Sequence, residues 1–458
     1  MQNRNIQFQS FVSTNRWAIV GNRGNPLLTY GYKIREKCKH VIAQQLHDAQ
    51  HIAILHALVL GDKSGLDLEL KQTFTDTGTM HVLAVSGLHV GIVYLLTSHL
   101  LNFLFLRKLK LLRTILGLLI VWSFALVSGL SPSVCRACFM FSVLSIGLEL
   151  NRVSSTYNSL CFAGFVLLSI NPLNLFNVGF QFSFLAVLGI VVLQKPIRNV
   201  VTTENYVLGK LADLLAVSLS AQLATLPLGL FYFGQFPWLF LVSNLLVIPV
   251  VTILVYASIS LFICHKLPIV VDIITKTLEI YLWFVLRVTE LIQSIPLALI
   301  NNVSITSIEL CLLFGIIWSL GAYMLKKSIQ ALVVMGLLCL GLIGNQGIRR
   351  YQNVTSTEVI RFDIKNAKCV ILRNGQTSYL LSNENMTSKK WAFHCKPYLS
   401  FKGVSDLAMP RSDNQSMVNA FSIRQDTFHV SNDSRWANER SPRSAERSTL
   451  FQSVYLPR

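Results

Sequence analysis

The sequence predicts an all-α polytopic membrane protein of about eight to eleven transmembrane helices, followed by a small β-rich extracytoplasmic segment. Three observations carry that expectation. Hydrophobic residues make up 52% of the 458 and charged residues only 14%, against about 25% charged in a soluble domain. The apolar residues gather into runs that approach or exceed the roughly 20 needed to cross a hydrocarbon core of about 30 Å. Much of the Lys and Arg lies in a polar tail after residue 345, and the rest sits in short loops, as the positive-inside bias requires of cytoplasmic loops.

Residues 1–80 form the first segment. Its opening, MQNRNIQFQSFVSTNRW, lacks the basic-then-apolar pattern of a signal peptide. Since the charge pattern puts 1–80 outside, the expectation is an upstream part missing from this chain. Within the segment, 40–60 shows helical spacing of apolar residues and precedes a polar turn, GDKSG.

The membrane core is expected over residues 81–345. Strong runs occupy 112–130, 238–264, 309–325 and 331–344, with weaker ones near 82–106, 133–150, 158–172, 177–194, 207–230 and 269–298. The basic residues Arg107, Lys108, Lys110 and Arg113, then Arg152, Lys195 with Arg198, Lys266, and Lys326 with Lys327, fall in alternate loops. Alternating spans place them all in the cytoplasm and the tail from about 346 outside. The 269–298 run carries Asp272, Lys276, Glu279, Arg287 and Glu290, so it is expected either to cross or to lie along the interface.

The tail divides in two. In residues 346–399, the stretch TEVIRFDIKNAKCVILRNGQTSYLLS alternates apolar and polar positions and contains Asn374-Gly375, a hairpin pattern that predicts two or three short strands. Residues 400–458 form a basic polar stretch with few aliphatics, expected to be disordered, or read out of frame.

The net charge of +18 suits nucleic acid, anionic lipid or the ordinary loop bias. The nine cysteines are scattered, so no disulfide framework is expected. Cys135 and Cys138 form one C-x-x-C without a second pair or a histidine cluster, and read as small packing residues rather than a metal site.

Four blocks carry polar residues into apolar surroundings. In HVLAVSGLHVGIVYLL (81–96), Ser86 and His89 share a helix face. They read as a catalytic pair, a helix-packing seam, or part of a polar path; no local acid is present to orient the imidazole. In SGLSPSVCRACFM (128–140), Pro132 suits a helix start and Arg136 lies one turn inside. Arg136 either snorkels to the interface or meets something anionic. In 171–190, Gln181 and Ser183 enter a span. In 219–251, Gln222, Thr225, Pro227, Gly234, Pro237, Asn244 and Pro249 suggest broken or re-entrant helices. Each amide alone reads as an interhelical bond, but recurrence across four segments favours a shared polar cavity.

These blocks, in order and spacing, resemble the ComEC family of DNA-internalisation competence proteins. The matching text is ALVLGDKSGL, TGTMHVLAVSGLHVG, SPSVCRACFM, NVGFQFSFLAVLGI and AQLATLPLGLFYFGQFPWLFLVSNLLVIPV, within about residues 50–330. The resemblance implies a channel of the cytoplasmic (inner) membrane that passes single-stranded DNA during natural transformation. It also implies membrane lipid, a periplasmic DNA receptor and a cytoplasmic helicase-like motor as partners, with a homo-oligomer as a further expectation. On the same basis His81, Ser86, Gly87, His89, Ser133, Arg136, Gln181, Gln222 and Asn244 are core positions, and pore lining is the role inferred for them. Phe231, Tyr232, Phe233, Phe236 and Trp238 read as stacking platforms for bases or as interfacial anchors.

Longer family members carry an OB-like domain before the core and a metallo-β-lactamase-like domain after it. The His-x-His-x-Asp-His cluster of the latter is missing from the ten histidines here, of which His394 and His429 lie in the tail. No nuclease activity, metal or cofactor is therefore expected, and the chain is expected not to be an enzyme. No G-x-x-x-x-G-K-[ST] phosphate loop is present, so energy must come from elsewhere. The rival expectations are an intramembrane serine hydrolase using Ser86 and His89, a transporter of another anionic solute, and a degraded gene product.

Overall fold

A computed structural model describes residues 25–103, 109–150, 155–296, 298–364, 367–375 and 377–382, with short pieces at 398–399, 406–408, 421–423 and 426–428. Arg107, Lys108, Arg152, His394, His429 and most of the 400–458 tail lie outside the described residues. Thirteen described helices dominate, and seven are long and apolar enough to cross a membrane. The all-α polytopic class therefore stands.

The helix expected over 40–60 is two helices, α1 (Pro26–Gln45) and α2 (Ala49–Leu60). The break falls at Asp48, whose carboxylate accepts from the Gln50 and His51 amides and so caps α2. Gly61, at φ +72°, ends α2 in the left-handed conformation that suits glycine. With 12 residues, α2 is too short to span, and most of it is buried against α10 (Phe240–Cys264) and α11 (Pro268–Ser294). In the following turn, Lys39 of α1 pairs with Asp62, which also accepts from the Ser64 amide. Burial alone would raise the Asp62 carboxyl, but the bonds from Lys39 and Ser64 outweigh it and hold it well below the usual range. The same contact, with Glu36, raises Lys39.

After α3 (Leu68–Asp76) come α4 (Gly87–Phe103), α5 (Lys110–Val127) and α6 (Pro132–Glu149), packed as a group. Tyr94 stacks on Phe141 at 4.9 Å, and Ser145 Oγ donates to the Tyr94 hydroxyl at 2.9 Å. At the far end of this group, Arg113, Thr114 and Glu149 share an ionic cluster beside a cavity of about 60 Å³. Next, α7 (Thr156–Ile170) leads to α8 (Val178–Arg198) and α9 (Tyr206–Phe233). The last two approach closely at Gly189, where an added Cβ would stand 2.4 Å from Ala224 Cβ and 2.7 Å from the Ser220 carbonyl.

Pro227 and Pro249 do not break their segments: α9 and α10 run continuously through them. This corrects the re-entrant expectation. A membrane helix tolerates the lost hydrogen bond where neighbouring helices support the backbone. The real interruption is Gly234 to Leu239, which holds the short strand β1 (Phe236–Pro237). There β1 pairs antiparallel with β2 (Leu299–Ile300), and Trp238 N–H donates to the Ala298 carbonyl at 3.1 Å.

That pairing gives the charged 269–298 run its direction. It brings the end of α11 back to the level where α10 begins, so the two helices, 25 and 27 residues long, form an antiparallel hairpin. α11 runs alongside α10 over a similar length, but its charged residues leave it outside the seven helices apolar enough to cross by composition. Its core face, including Leu278, Leu282 and Val285, is buried, while Lys276 pairs with Asp272 and Arg287 with Glu290 on the exposed side.

The chain divides into two compact units, one of Met1–Asn301 with Ile317–Leu332 and one of Asn302–Ile316 with Val333–Arg458. In the second, the first half of α12 (Ser307–Lys326) meets α13 (Ile329–Thr355), where Gly315 faces Leu338. Thr306 and Glu309 form a capping box at the α12 start. Arg349 closes it, reaching Glu309 Oε2 at 3.0 Å and the Ser304 carbonyl at 2.9 Å. Beyond α13, β3 (Thr357–Ile364), β4 (Ala367–Asn374) and β5 (Thr377–Ser382) form consecutive antiparallel pairs, joined by β6 (Asp406–Ala408) in parallel; β7 (Phe421–Ile423) and β8 (Asp426–Phe428) form a separate pair. The predicted hairpin is present, shifted by one residue. Asn374 closes the ladder opposite Thr377, and Gly375, at φ +61°, opens the turn.

Candidate functional site

The functional candidates of the first unit start from the ends of α4 and α6. Ser86 caps α4: its Oγ accepts from the Leu88 amide at 3.3 Å. His89 reaches back in return, its Nδ1 accepting the Ser86 amide at 3.2 Å and lying 3.0 Å from Ser86 Oγ. This is a capping box in which a histidine stands where Glu or Gln usually does. An amide can only donate, so Nδ1 is the acceptor nitrogen and the proton of the neutral ring resides on Nε2. That Nε2 is buried and has no partner.

Arg136 lies one turn inside α6, whose cap is Ser131, its Oγ accepting from the Val134 amide at 3.4 Å. The guanidinium does not snorkel; the residue is 6% exposed. It packs over the first residue of α4, since a Cβ on Gly87 would stand 2.7 Å from Nη2. Its other neighbours are Met140 Sδ at 3.9 Å and the Phe184 ring of α8 at 6.0 Å. Its Nε is unpartnered, and among the described residues no carboxylate pairs with it.

Gln181, in the first turn of α8, donates through Nε2 to the Leu175 carbonyl at 2.8 Å and leaves Oε1 buried without a partner. Asn244, one turn into α10 and 6% exposed, leaves Oδ1 in the same condition. Thus His89, Arg136, Gln181 and Asn244 sit on four different helices, each within the first turn or so, and each leaves one buried polar atom unmatched. In a protein interior such an atom costs about 1–3 kcal/mol, so each of the four is a candidate for a partner the chain itself does not supply.

The remaining predicted positions behave differently. His81 is exposed in the turn before α4, with Nδ1 3.0 Å from the Gly78 carbonyl. Ser133 sits half-buried in the first turn of α6, beside the actual cap, Ser131. Gln222 is half-buried within α9. The aromatic group at the α9–α10 turn is largely exposed, with Phe233 at 60% and Trp238 at 58%, as interfacial anchors are. Sequence reasoning missed Phe184 and Met140 as neighbours of Arg136; Met140 was readable as its i+4 partner. Among the described residues, no group of three or more His, Cys, Asp or Glu is placed to hold a metal.

The helices and this cluster define a multi-pass membrane protein with unmatched polar groups inside its bundle. Comparison with known proteins places that architecture. The family described as Competence protein matches residues 58–328, and the chain belongs to it, as a multi-pass protein of the cytoplasmic membrane. It is 33% identical over 228 residues to ComE operon protein 3 of Bacillus subtilis (strain 168), a stretch covering 49% of this chain and 28% of the Bacillus protein. It is 29% identical over 322 residues to an uncharacterized protein of Aquifex aeolicus (strain VF5), covering 68% of this chain and 70% of that one. No solved structure matches.

Proposed function

We propose that the chain serves competence DNA uptake as the conduit through which a single DNA strand crosses the cytoplasmic membrane, without chemistry of its own. The observation that carries this reading is the set of buried, unmatched polar atoms on His89, Arg136, Gln181 and Asn244. A strand presents an anion at every phosphate and donors and acceptors on every base, so it can satisfy such groups in passing whatever its sequence. Family membership supports the same reading. Residues 81–345 then form the conduit, with residues 1–80 and the tail from 346 on the outer side. A periplasmic receptor delivers the strand and a cytoplasmic motor draws it in.

The test uses cells deleted for the gene and re-expressing it intact, as Gln181→Leu or as Asn244→Leu, with membrane levels matched. Labelled DNA that becomes DNase-protected in the cytoplasm is separated from DNA held outside. Intact protein should restore entry and the variants should stall DNA outside; variants that import like intact protein would refute the lining role.

The 3.0 Å contact between Ser86 Oγ and His89 Nδ1 favours a second reading, a serine hydrolase. Covalent labelling of Ser86 by a fluorophosphonate, together with loss of DNA entry in Ser86→Ala, would establish it. On the conduit reading Ser86→Ala removes a helix cap worth about 1 kcal/mol and preserves entry.

A further inference from the structure

Arg136 and His89 converge on the N-terminus of α4, and among the described residues no carboxylate pairs with either. The guanidinium lies against Gly87, the first residue of a 17-residue helix, whose N-terminal end carries partial positive charge. His89 is 1% exposed, and its Nε2–H is a donor with no acceptor. Arg136 Nε–H is a second. Buried cations are ordinarily paired, and those inside membranes mark sites of function. Here the described neighbours of the guanidinium are Gly87, Met140 and Phe184, none of which carries a negative charge.

We propose that this cluster is a phosphodiester-binding subsite of the conduit, which rests on the reading above. The planar guanidinium fork matches the two non-bridging oxygens of a phosphodiester, and the His89 Nε2–H supplies a further donor. A Cβ on Gly87 would stand 2.7 Å from Nη2, so a side chain there would push the guanidinium aside. A nucleic-acid strand is favoured over a lipid phosphate by the enclosure of Arg136 between α4, α6 and α8. A headgroup arrives tied to two acyl chains that must stay in the bilayer, whereas a single strand brings only its backbone.

The experiment measures binding of a fluorescent oligothymidylate to the full chain in lipid nanodiscs, across a salt series, for intact protein, Arg136→Gln and Arg136→Lys. A single-strand contact contributes about 0.7 to the slope of log affinity against log salt. Arg136→Gln should lower that slope by about 0.7 and weaken binding about tenfold or more, as loss of a charge-assisted hydrogen bond predicts. Arg136→Lys, which keeps the charge, should hold the slope. A methylphosphonate strand, with a neutral backbone, should bind intact and Arg136→Gln protein alike. Strand binding by intact protein with an unchanged slope in Arg136→Gln overturns the subsite and leaves the conduit standing. Failure of the intact protein to bind any strand overturns both. A Gln effect seen only in discs containing phosphatidylglycerol assigns the site to lipid and overturns the strand.

Discussion

Replacing Gly189 with alanine tests how closely α8 and α9 are packed. The new Cβ would stand 2.4 Å from Ala224 Cβ and 2.7 Å from the Ser220 carbonyl oxygen, where carbon atoms rest at about 3.5–4.0 Å. Neither neighbour can rotate away, since one is a Cβ and the other is backbone. The helices must therefore part locally by about 1 Å, and overpacking of this kind costs about 1–3 kcal/mol. Alanine's better helix propensity returns up to about 1 kcal/mol, leaving a net loss of about 1–2 kcal/mol. Gly229, one helix away, provides the internal control. Nothing lies within 4 Å of a Cβ there, so Gly229→Ala should be neutral or stabilising by about 0.5–1 kcal/mol. Thermal unfolding in detergent, followed by tryptophan fluorescence, should rank Gly189→Ala below intact protein and Gly229→Ala at or above it. Equal melting temperatures for the two variants would refute the close-contact argument.

Three further outcomes are expected. Arg349→Met leaves the fully buried Glu309 without its ionic partner and should destabilise the α12–α13 region by about 3 kcal/mol, with Glu309→Gln in the same chain recovering part of the loss by the same assay. The Lys39–Asp62 contact sets a pH dependence. Because the Asp62 pKa is lowered on folding, its contribution is present above the unfolded value of about 3.9 and is lost as pH falls below that. Because Lys39 is raised, its share is complete below about pH 10.4 and fades above. Proteolysis of the α1–α3 region across an acid series should show a steep loss of protection in intact protein and a shallower one in Asp62→Asn. Finally, Cys138→Ser, which puts a hydroxyl at a fully buried site where the thiol makes only a 3.8 Å contact to the Val121 carbonyl, should lower stability by about 1–3 kcal/mol, read as a drop in melting temperature.

The helices were legible because membrane spans declare themselves by length and hydropathy, and nearly every predicted run has its helix. What the pattern could not convey was connectivity in space. A 12-residue apolar run such as α2 reads equally as a span fragment or a buried core helix, and only its packing against α10 and α11 separates the two. The prolines at 227 and 249 suggested breaks, because sequence shows the missing donor but not the neighbouring helices that support the backbone around it. Of the site, Arg136, His89, Gln181 and Asn244 stood out as polar residues in apolar text. That His89 caps its own helix, leaving the opposite ring nitrogen unmatched, depends on α4 beginning at Gly87, a boundary that no periodicity encodes.

The two-residue ladder between β1 and β2 bears on how the protein is made. By the insertion scale, each charge near the centre of a span opposes entry by about 2.5–3.5 kcal/mol, and α11 carries Asp272, Lys276, Glu279, Arg287 and Glu290. It is therefore a poor autonomous substrate for the insertion machinery, while α10, with no charged residue, is a good one. The expected order of biogenesis is that α10 enters first and α11 follows as its hairpin partner. Phe236 and Pro237 then meet Ile300 and Leu299 only once both crossings are complete. On that order the ladder forms last, and reporter fusions at Asn301 are expected outside only when α10 is present.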